Sequence, residues 1–285
     1  MVMTYTRAST LAEALEASDH GAMVLAGGTD LVSMRQTGAV RSDRIVDIKS
    51  LADLRAISLA PLGDVAVIGA AVTMSGLRRA NLPSWSAALA DGASVVGAPQ
   101  TRARATLGGN ICRASPAGDT LPALLALGAT AQVTSLGGSR HVPLREFFVG
   151  PGRTVMVPGE ILTAVQIDCA VTGSAYRRLT YRSSLDLAVV GVAVAVKIEK
   201  GACTAATIAL GGVGPTPMVV PKAAEILVGS ASDPEALSEA GHVAATMCRA
   251  ISDVRASEQY RRHAVAVLVA RVAHEALMSG GLSNG

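Results

Sequence analysis

The sequence predicts an α+β fold in two domains, and three observations carry the prediction. Up to residue 173, short apolar runs of β character alternate with capped helical runs. Beyond Gly173-Ser174, three strand-like runs follow one another and only helical runs come after them. Half of the 285 residues are apolar while aromatics make up 2%, so a sizeable core must be built from Ala, Val and Leu.

The elements follow in chain order. Thr10, three residues before Glu13, forms a capping box that opens a helix over Leu11 to Ala17. Ala22 to Leu25 is a short apolar strand. A diglycine loop follows, then a turn of amphipathic helix from Asp30 to Gln36 that Gly38 stops. Arg44 to Ile48 alternates as a strand does, which completes a compact β-loop-α-β unit. Leu54 to Leu59 and Val65 to Ile68 pair around the turn Pro61-Leu62-Gly63-Asp64. Thr73 caps a helix toward Arg79, and Pro83 precedes a helix over Trp85 to Val95. After a second diglycine loop, Thr120 to Leu127 is helical with Pro122 in its first turn. Ala131 to Ser135 and Ile161 to Ile167 are strands, with Gly137-Gly138 turning the chain between them. These elements divide residues 1–173 into lobes of about 1–53 and 54–173.

The second domain, 174–280, opens with strands over Tyr176 to Tyr181, Leu187 to Ile198 and Cys203 to Leu210. Glu199-Lys200-Gly201 makes the hairpin between the last two. Gly211 to Pro217 is a loop, and helices over Ala223 to Val228, Pro234 to Ala250 and Ser257 to Met278 fill the rest. Residues 281–285 read as a disordered tail.

Composition excludes several functions. The net charge of +3 is weak for a nucleic-acid binder, and Arg78-Arg79, Arg102 with Arg104, and Arg261-Arg262 lack interleaved aromatics. Each pair reads as a solvated face or a partner contact. The longest strongly apolar run, Leu187 to Val196, has ten residues, half the roughly 20 that a membrane span needs. It reads as a buried strand. No secretory signal is visible, so a cytoplasmic location is expected. Cys112, Cys169, Cys203 and Cys248 are far apart and read as small buried hydrophobes, and the five histidines are scattered, so no metal site is expected.

The informative motifs are the two diglycine segments, Ala26-Gly27-Gly28-Thr29-Asp30 and Thr106-Leu107-Gly108-Gly109-Asn110, about 80 residues apart. Glycine lets backbone N–H groups approach a ligand that a side chain would block, so the pair can grip an extended anion such as a pyrophosphate from both sides. Thr29 and Asp30 add a hydroxyl and a cap at a helix start, where a phosphate meets free donors and the helix dipole. Neither common phosphate motif is present: Gly212-Val213-Gly214 runs into Pro215 and Pro217, and no Gly-Lys-Ser/Thr occurs.

Together with Pro99-Gln-Thr-Arg102, Ala114 to Asp119, Ala175-Tyr176-Arg177-Arg178, Arg182 and Asp186-Leu187-Ala188, the stretches Leu25 to Leu31 and Thr106 to Asn110 resemble the flavin-binding subunit of molybdenum hydroxylases. That family includes xanthine, carbon monoxide and N-heterocycle dehydrogenases, and the resemblance spans roughly residues 3–278. It implies a two-lobed FAD-binding domain of the vanillyl-alcohol-oxidase type over 1–173, followed by a smaller α+β domain.

Carried over residue by residue, Leu25, Ala26, Gly27, Gly28, Thr29, Asp30, Leu31 and Val32 form a first pyrophosphate loop. Thr106, Leu107, Gly108, Gly109 and Asn110 form a second. Asp119 takes the place of a carboxylate that contacts the flavin nucleotide, against the plainer reading of a cap for the helix at Thr120. Leu162 matches a residue whose backbone meets the adenine side. Val96 falls where some members place a Phe beside the ring, and Leu187 matches the position that covers the isoalloxazine, although it also reads as strand core. Arg178 stands where a flavin-contacting lysine is usual, which exchanges a point charge for a planar fork.

The resemblance further implies noncovalent FAD, since neither loop carries a His. It places molybdopterin and 2Fe-2S clusters on a large and a small partner subunit, in a heterotrimer or its dimer. In that setting the chain relays electrons from the 2Fe-2S subunit to an external acceptor, and no general acid or base is assigned. Two alternatives are a stand-alone FAD oxidoreductase of the same fold and a flavin-free interaction protein.

Overall fold

The computed structural model describes residues 3–60, 65–168, 170–229 and 233–281. The turn at 61–64, Cys169 and the tail beyond 281 lie outside them. Among the described residues three larger sheets, of three, five and four strands, and one two-stranded sheet organise the chain.

The first lobe holds β1 (Thr4–Arg7), α1 (Leu11–Asp19), β2 (Met23–Leu25), α2 (Leu31–Gln36) and β3 (Arg44–Asp47). Its strands form a parallel sheet in the order β1-β3-β2. The first strand, Thr4–Arg7, went unread in the sequence because its side chains are mostly exposed and show no apolar alternation. Thr10 caps α1 by accepting from the Glu13 N–H, while the Glu13 carboxylate reaches back one residue further than expected, to the Ser9 N–H and hydroxyl.

The second lobe contains β4 (Ile57–Leu59), β5 (Val65–Gly69), α3 (Met74–Arg79), α4 (Ala87–Ser94), α5 (Pro99–Arg102), α6 (Leu107–Arg113), α7 (Thr120–Ala126), β6 (Thr130–Ser135), β7 (Gly138–Pro143), α8 (Leu144–Phe147), β8 (Phe148–Gly150), β9 (Arg153–Thr154) and β10 (Ile161–Asp168). A five-stranded antiparallel sheet runs β4-β5-β10-β6-β7. Helices α3, α4, α6 and α7 supply Leu77, Leu89, Leu107, Ile111, Leu121 and Leu124 to the core beside it. The helix expected over Trp85 to Val95 begins as a 3-10 turn, Ser84–Ser86, before α4.

The remaining elements are β11 (Gly173–Leu179), β12 (Val190–Glu199), β13 (Ala202–Gly211), β14 (Met218–Val219), α9 (Pro221–Leu227), α10 (Pro234–Met247) and α11 (Glu258–Ser279). The sheet β11-β12-β13-β14 is antiparallel. Strand β12 is apolar without a break from Val190 to Val196 because both of its faces are buried there. On β12, Val190, Val192, Val194 and Val196 pack among α9, α10 and α11. The alternate Ala193 and Ala195, with Tyr176 and Ala209, join the core of the second lobe. Small residues on that face let α4 and α7 approach closely.

Gly173 is the first residue of β11. A β-carbon there would lie 2.4 Å from the Gly280 nitrogen, so this glycine permits the end of α11 to pack on the sheet. Strand β11 is tied to the second lobe at alternate residues. The Ser174 hydroxyl donates to the Trp85 carbonyl at 2.6 Å and accepts from the Ala88 N–H at 3.0 Å. Tyr176 and Arg178 both reach Asp119.

Some expectations need correction. Arg261 was expected on a solvated face or at a partner contact, yet its side chain is 2% exposed. Its guanidinium donates to the Val189 and Gly212 carbonyls and to Asp253, so it clamps α11 to the loop ends of the sheet. Cys203 and Cys248 are buried as expected, but Cys112 is exposed. Among the described residues no helix is long and apolar enough to cross a membrane, and no cluster of His, Cys, Asp and Glu could hold a metal ion.

Candidate functional site

A cleft opens between the two lobes of residues 1–168. It is lined on one side by Ala26, Gly27, Gly28, Thr29, Asp30 and Leu31, and on the other by Val96, Thr106, Gly109 and Asn110. Met34, Thr101, Cys112, Arg113 and Gly152 complete it.

Gly27 allows the two sides to meet. A β-carbon on it would sit 2.2 Å from the Arg104 carbonyl oxygen, so only glycine lets the first loop lie against the backbone that leads into α6. Gly28 has φ +79, a left-handed conformation that glycine adopts without strain. The N–H groups of Gly27, Gly28, Thr29 and Asp30 meet no protein acceptor among the described residues, while the Gly28 carbonyl accepts from Val32. Four adjacent free donors on a turn make a nest for an anion. Asp30 occupies the helix-cap position but makes no side-chain capping bond. It pairs instead with Arg113 across the cleft mouth at 3.4 Å. Helix α2 has only six residues, so what this loop offers an anion is its free donors more than a helix dipole.

The second glycine pair differs from the expected loop. Thr106 is the N-cap of α6, and Gly108 and Gly109 lie in the first turn of that helix. Its donors are already used: Leu107 N–H goes to Val72 O, Gly108 N–H to Ala70 O, and Gly109 N–H to the Thr106 hydroxyl at 3.1 Å. Leu107 and Gly108 are therefore buried packing residues, absent from the cleft wall. This side offers the bare surface of Gly109 and the side chains of Thr106 and Asn110. Of the two glycine segments, only the first has backbone N–H groups without a protein acceptor among the described residues.

Asp119, Arg178 and Leu187 form a second group, outside the cleft lining. Asp119 also makes no helix-capping bond. Its Oδ1 accepts from the Tyr176 hydroxyl at 2.9 Å, and its Oδ2 accepts from Arg178 Nη1 at 2.8 Å. The Arg178 and Asp119 side chains are 6% and 8% exposed. Burial lifts the Asp119 carboxyl to about 6, the desolvation outweighing the pull of Arg178 and Tyr176 in the other direction. Arg178 Nη1 donates also to the Asp186 carbonyl at 3.1 Å.

Asp186 in turn shapes the loop before β12. Its carboxylate accepts from the N–H groups of Tyr181, Arg182 and Leu187, which hold it below the usual carboxylate range. Because of this loop β12 starts at Val190, three residues later than the expected strand, and Leu187 is 48% exposed and not strand core.

The two groups connect through one hydrogen bond, from the Thr120 hydroxyl to Asn110 Oδ1 at 2.7 Å, one residue from Asp119. Leu25 lies under Gly28 at the end of β2, and Val32 is exposed on α2. Leu162 is buried in β10 beside the bulge at Thr163, whose carbonyl accepts from Ala70. It is not brought into the cleft wall. Tyr176 and Thr120 had no assigned role in the sequence. A signal for Tyr176 existed: it shares period-two phase with Ser174 and Arg178, so all three point to one face of a strand.

Two lobes meet at a glycine-lined cleft and a third sheet is latched to the second lobe by a buried acid–base pair, and the likenesses of the chain make it a flavoprotein component of an oxidoreductase. Residues 1–167 match the FAD binding domain in molybdopterin dehydrogenase, and residues 174–276 match the CO dehydrogenase flavoprotein C-terminal domain. The chain belongs to this family of FAD-binding subunits. It is 31% identical to the carbon monoxide dehydrogenase medium chain of Afipia carboxidovorans, over 95% of this chain and 96% of that one. It is 38% identical to the nicotinate dehydrogenase FAD-subunit of Eubacterium barkeri over 73% of its length and 72% of that protein's. The solved Cu,Mo-CO dehydrogenase has a chain that superposes with a TM-score of 0.90 at 30% identity, covering 98% of this chain and 99% of that one.

Proposed function

We propose that the chain is the FAD-binding electron-transfer subunit of a cytoplasmic molybdenum hydroxylase. It takes electrons from a partner 2Fe-2S subunit and passes them to an external acceptor. A large molybdopterin subunit completes a heterotrimer or its dimer. The observation that carries the reading is the turn of four free N–H donors at Gly27 to Asp30, facing Thr106, Gly109 and Asn110 across a cleft that Gly27 alone allows to close. Likeness to medium chains and FAD-subunits along nearly the whole length supports it.

The residues fit the cofactor. Gly27, Gly28, Thr29 and Asp30 donate to its pyrophosphate, with the Thr106 and Asn110 side chains opposite. Arg178 presents a cation to the ring and Leu187 an apolar cover; Val96 supports the ring from the second lobe. Leu162, by its position on β10, is assigned to the adenine side. FAD held there would supply a centre that takes electrons one at a time yet can deliver a pair, while the protein supplies position, shielding and electrostatic tuning.

The test is the visible spectrum of the purified chain, with flavin bands expected near about 370 and 450 nm. Co-purification with a 2Fe-2S protein and a molybdopterin protein tests the assembly. A colourless chain that takes up no added FAD would sink the reading. Reduction of bound FAD by a small substrate, with no partner present, would favour a stand-alone oxidoreductase.

A further inference from the structure

We propose that Tyr176 is a positioning residue: acting through Asp119, it fixes the Arg178 guanidinium so that its Nε and Nη2 edge stays turned to a ligand. The inference rests on the assignment of Arg178 to flavin contact made above. Arg178 Nη1 is held at two points, the Asp119 carboxylate and the Asp186 carbonyl. The bonds of Arg178 run from Nη1, and Nε and Nη2 meet no protein acceptor among the described residues, although the side chain is only 6% exposed. Neither atom is sealed from solvent, so this edge of the guanidinium stays open to an acceptor from outside the chain.

Tyr176 makes that arrangement rigid. Its side chain is buried, and its ring fills space that Gly191 leaves open: a β-carbon at Gly191 would lie 2.9 Å from the Tyr176 hydroxyl. A phenylalanine would fill the same volume, so packing does not require the hydroxyl. The Asp119 carboxylate does. Without it Oδ1 has no partner in a buried site, and the carboxyl is driven further toward its neutral form. A neutral Asp119 no longer balances Arg178.

No other acid stands in for it. Arg177, on the opposite face of β11, is paired with Asp91 and Glu275. The Asp186 carboxylate is committed to backbone N–H groups. The groups that set the titration of Asp119 are thus Arg178 and Tyr176.

The full chain is compared with Tyr176→Phe, Asp119→Asn and the double variant. FAD is titrated by fluorescence from about pH 5 to pH 9, and the apoprotein is melted over the same range. Tyr176→Phe is expected to weaken FAD binding by about 5- to 10-fold at neutral pH and to bind as wild type at the alkaline end. The pH at which affinity and apoprotein melting bend should move up by about one unit. Asp119→Asn should abolish the bend, and adding Tyr176→Phe to it should cost nothing more. A Tyr176→Phe chain that loses affinity equally at every pH, with its bend unmoved, overturns the proposal. Wild-type chain that takes up no FAD overturns the cofactor reading instead, and an unshifted apoprotein bend separately overturns the Tyr176 coupling.

Discussion

Gly27 and Arg104 touch so closely that a β-carbon on the glycine would lie 2.2 Å from the arginine's carbonyl oxygen. One residue of the first lobe therefore sets how near the cleft walls come. Both contacting groups are backbone, so neither can swing aside.

Gly27→Ala should separate the walls. FAD affinity is expected to fall by more than about 100-fold, with a stability loss of about 2 kcal/mol or more from overpacking. Gly137→Ala is the control: its β-carbon would meet nothing nearer than 3.7 Å, and it should change stability by less than about 0.5 kcal/mol. Isothermal titration with FAD and denaturant unfolding measure both.

Thr106 has two duties, capping α6 and lining the cleft. Thr106→Val should lose the bond to the Gly109 N–H and cost about 1 kcal/mol, while Thr106→Ser retains it. Urea unfolding of the apoprotein reads the cap separately from any effect on FAD uptake.

Asp119 gives a pH dependence of definite sign. Its folded pKa, about 6, lies above the ordinary 3.8, so the folded chain holds this proton more tightly than the unfolded chain. Its contribution to stability is greatest below pH 4, falls as pH rises from about 4 to about 6, and then levels off, by about 3 kcal/mol in all. Asp47, Glu160 and Asp186 are shifted the other way and lose stability as pH falls, so the difference between wild type and Asp119→Asn isolates the effect. That difference, from unfolding at several pH values, should shrink or reverse across the window in the stated direction; a flat difference would refute the assignment.

Arg261 is a buried cation of the C-terminal domain, its side chain 2% exposed. Arg261→Met should lower stability by about 3 to 5 kcal/mol, because two carbonyls and Asp253 lose their donor together. Arg261→Lys should recover only part, since one ammonium cannot reproduce the fork. Thermal melting checks the order wild type, Lys, Met. The exposed Arg145–Glu146 pair should be nearly silent when broken.

The sequence by itself determined the elements whose signals are local. Thr10 and Thr73 cap helices because a hydroxyl and an N–H three residues on need no other part of the chain. A continuous apolar run marked β12, a strand-like run marked β13, and the glycine pairs with their neighbours pointed to the family. What the tertiary structure decided depends on separation in sequence. Asp119 and Arg178 are 59 residues apart, and nothing local to either shows that one becomes the buried counter-charge of the other. The two glycine pairs read alike as sequence. Only the fold leaves the donors of Gly27 and Gly28 free while spending those of Gly108 and Gly109 on Ala70, just past β5, and a helix cap, because a backbone N–H is available to a ligand only where no neighbouring backbone or side chain has reached it first.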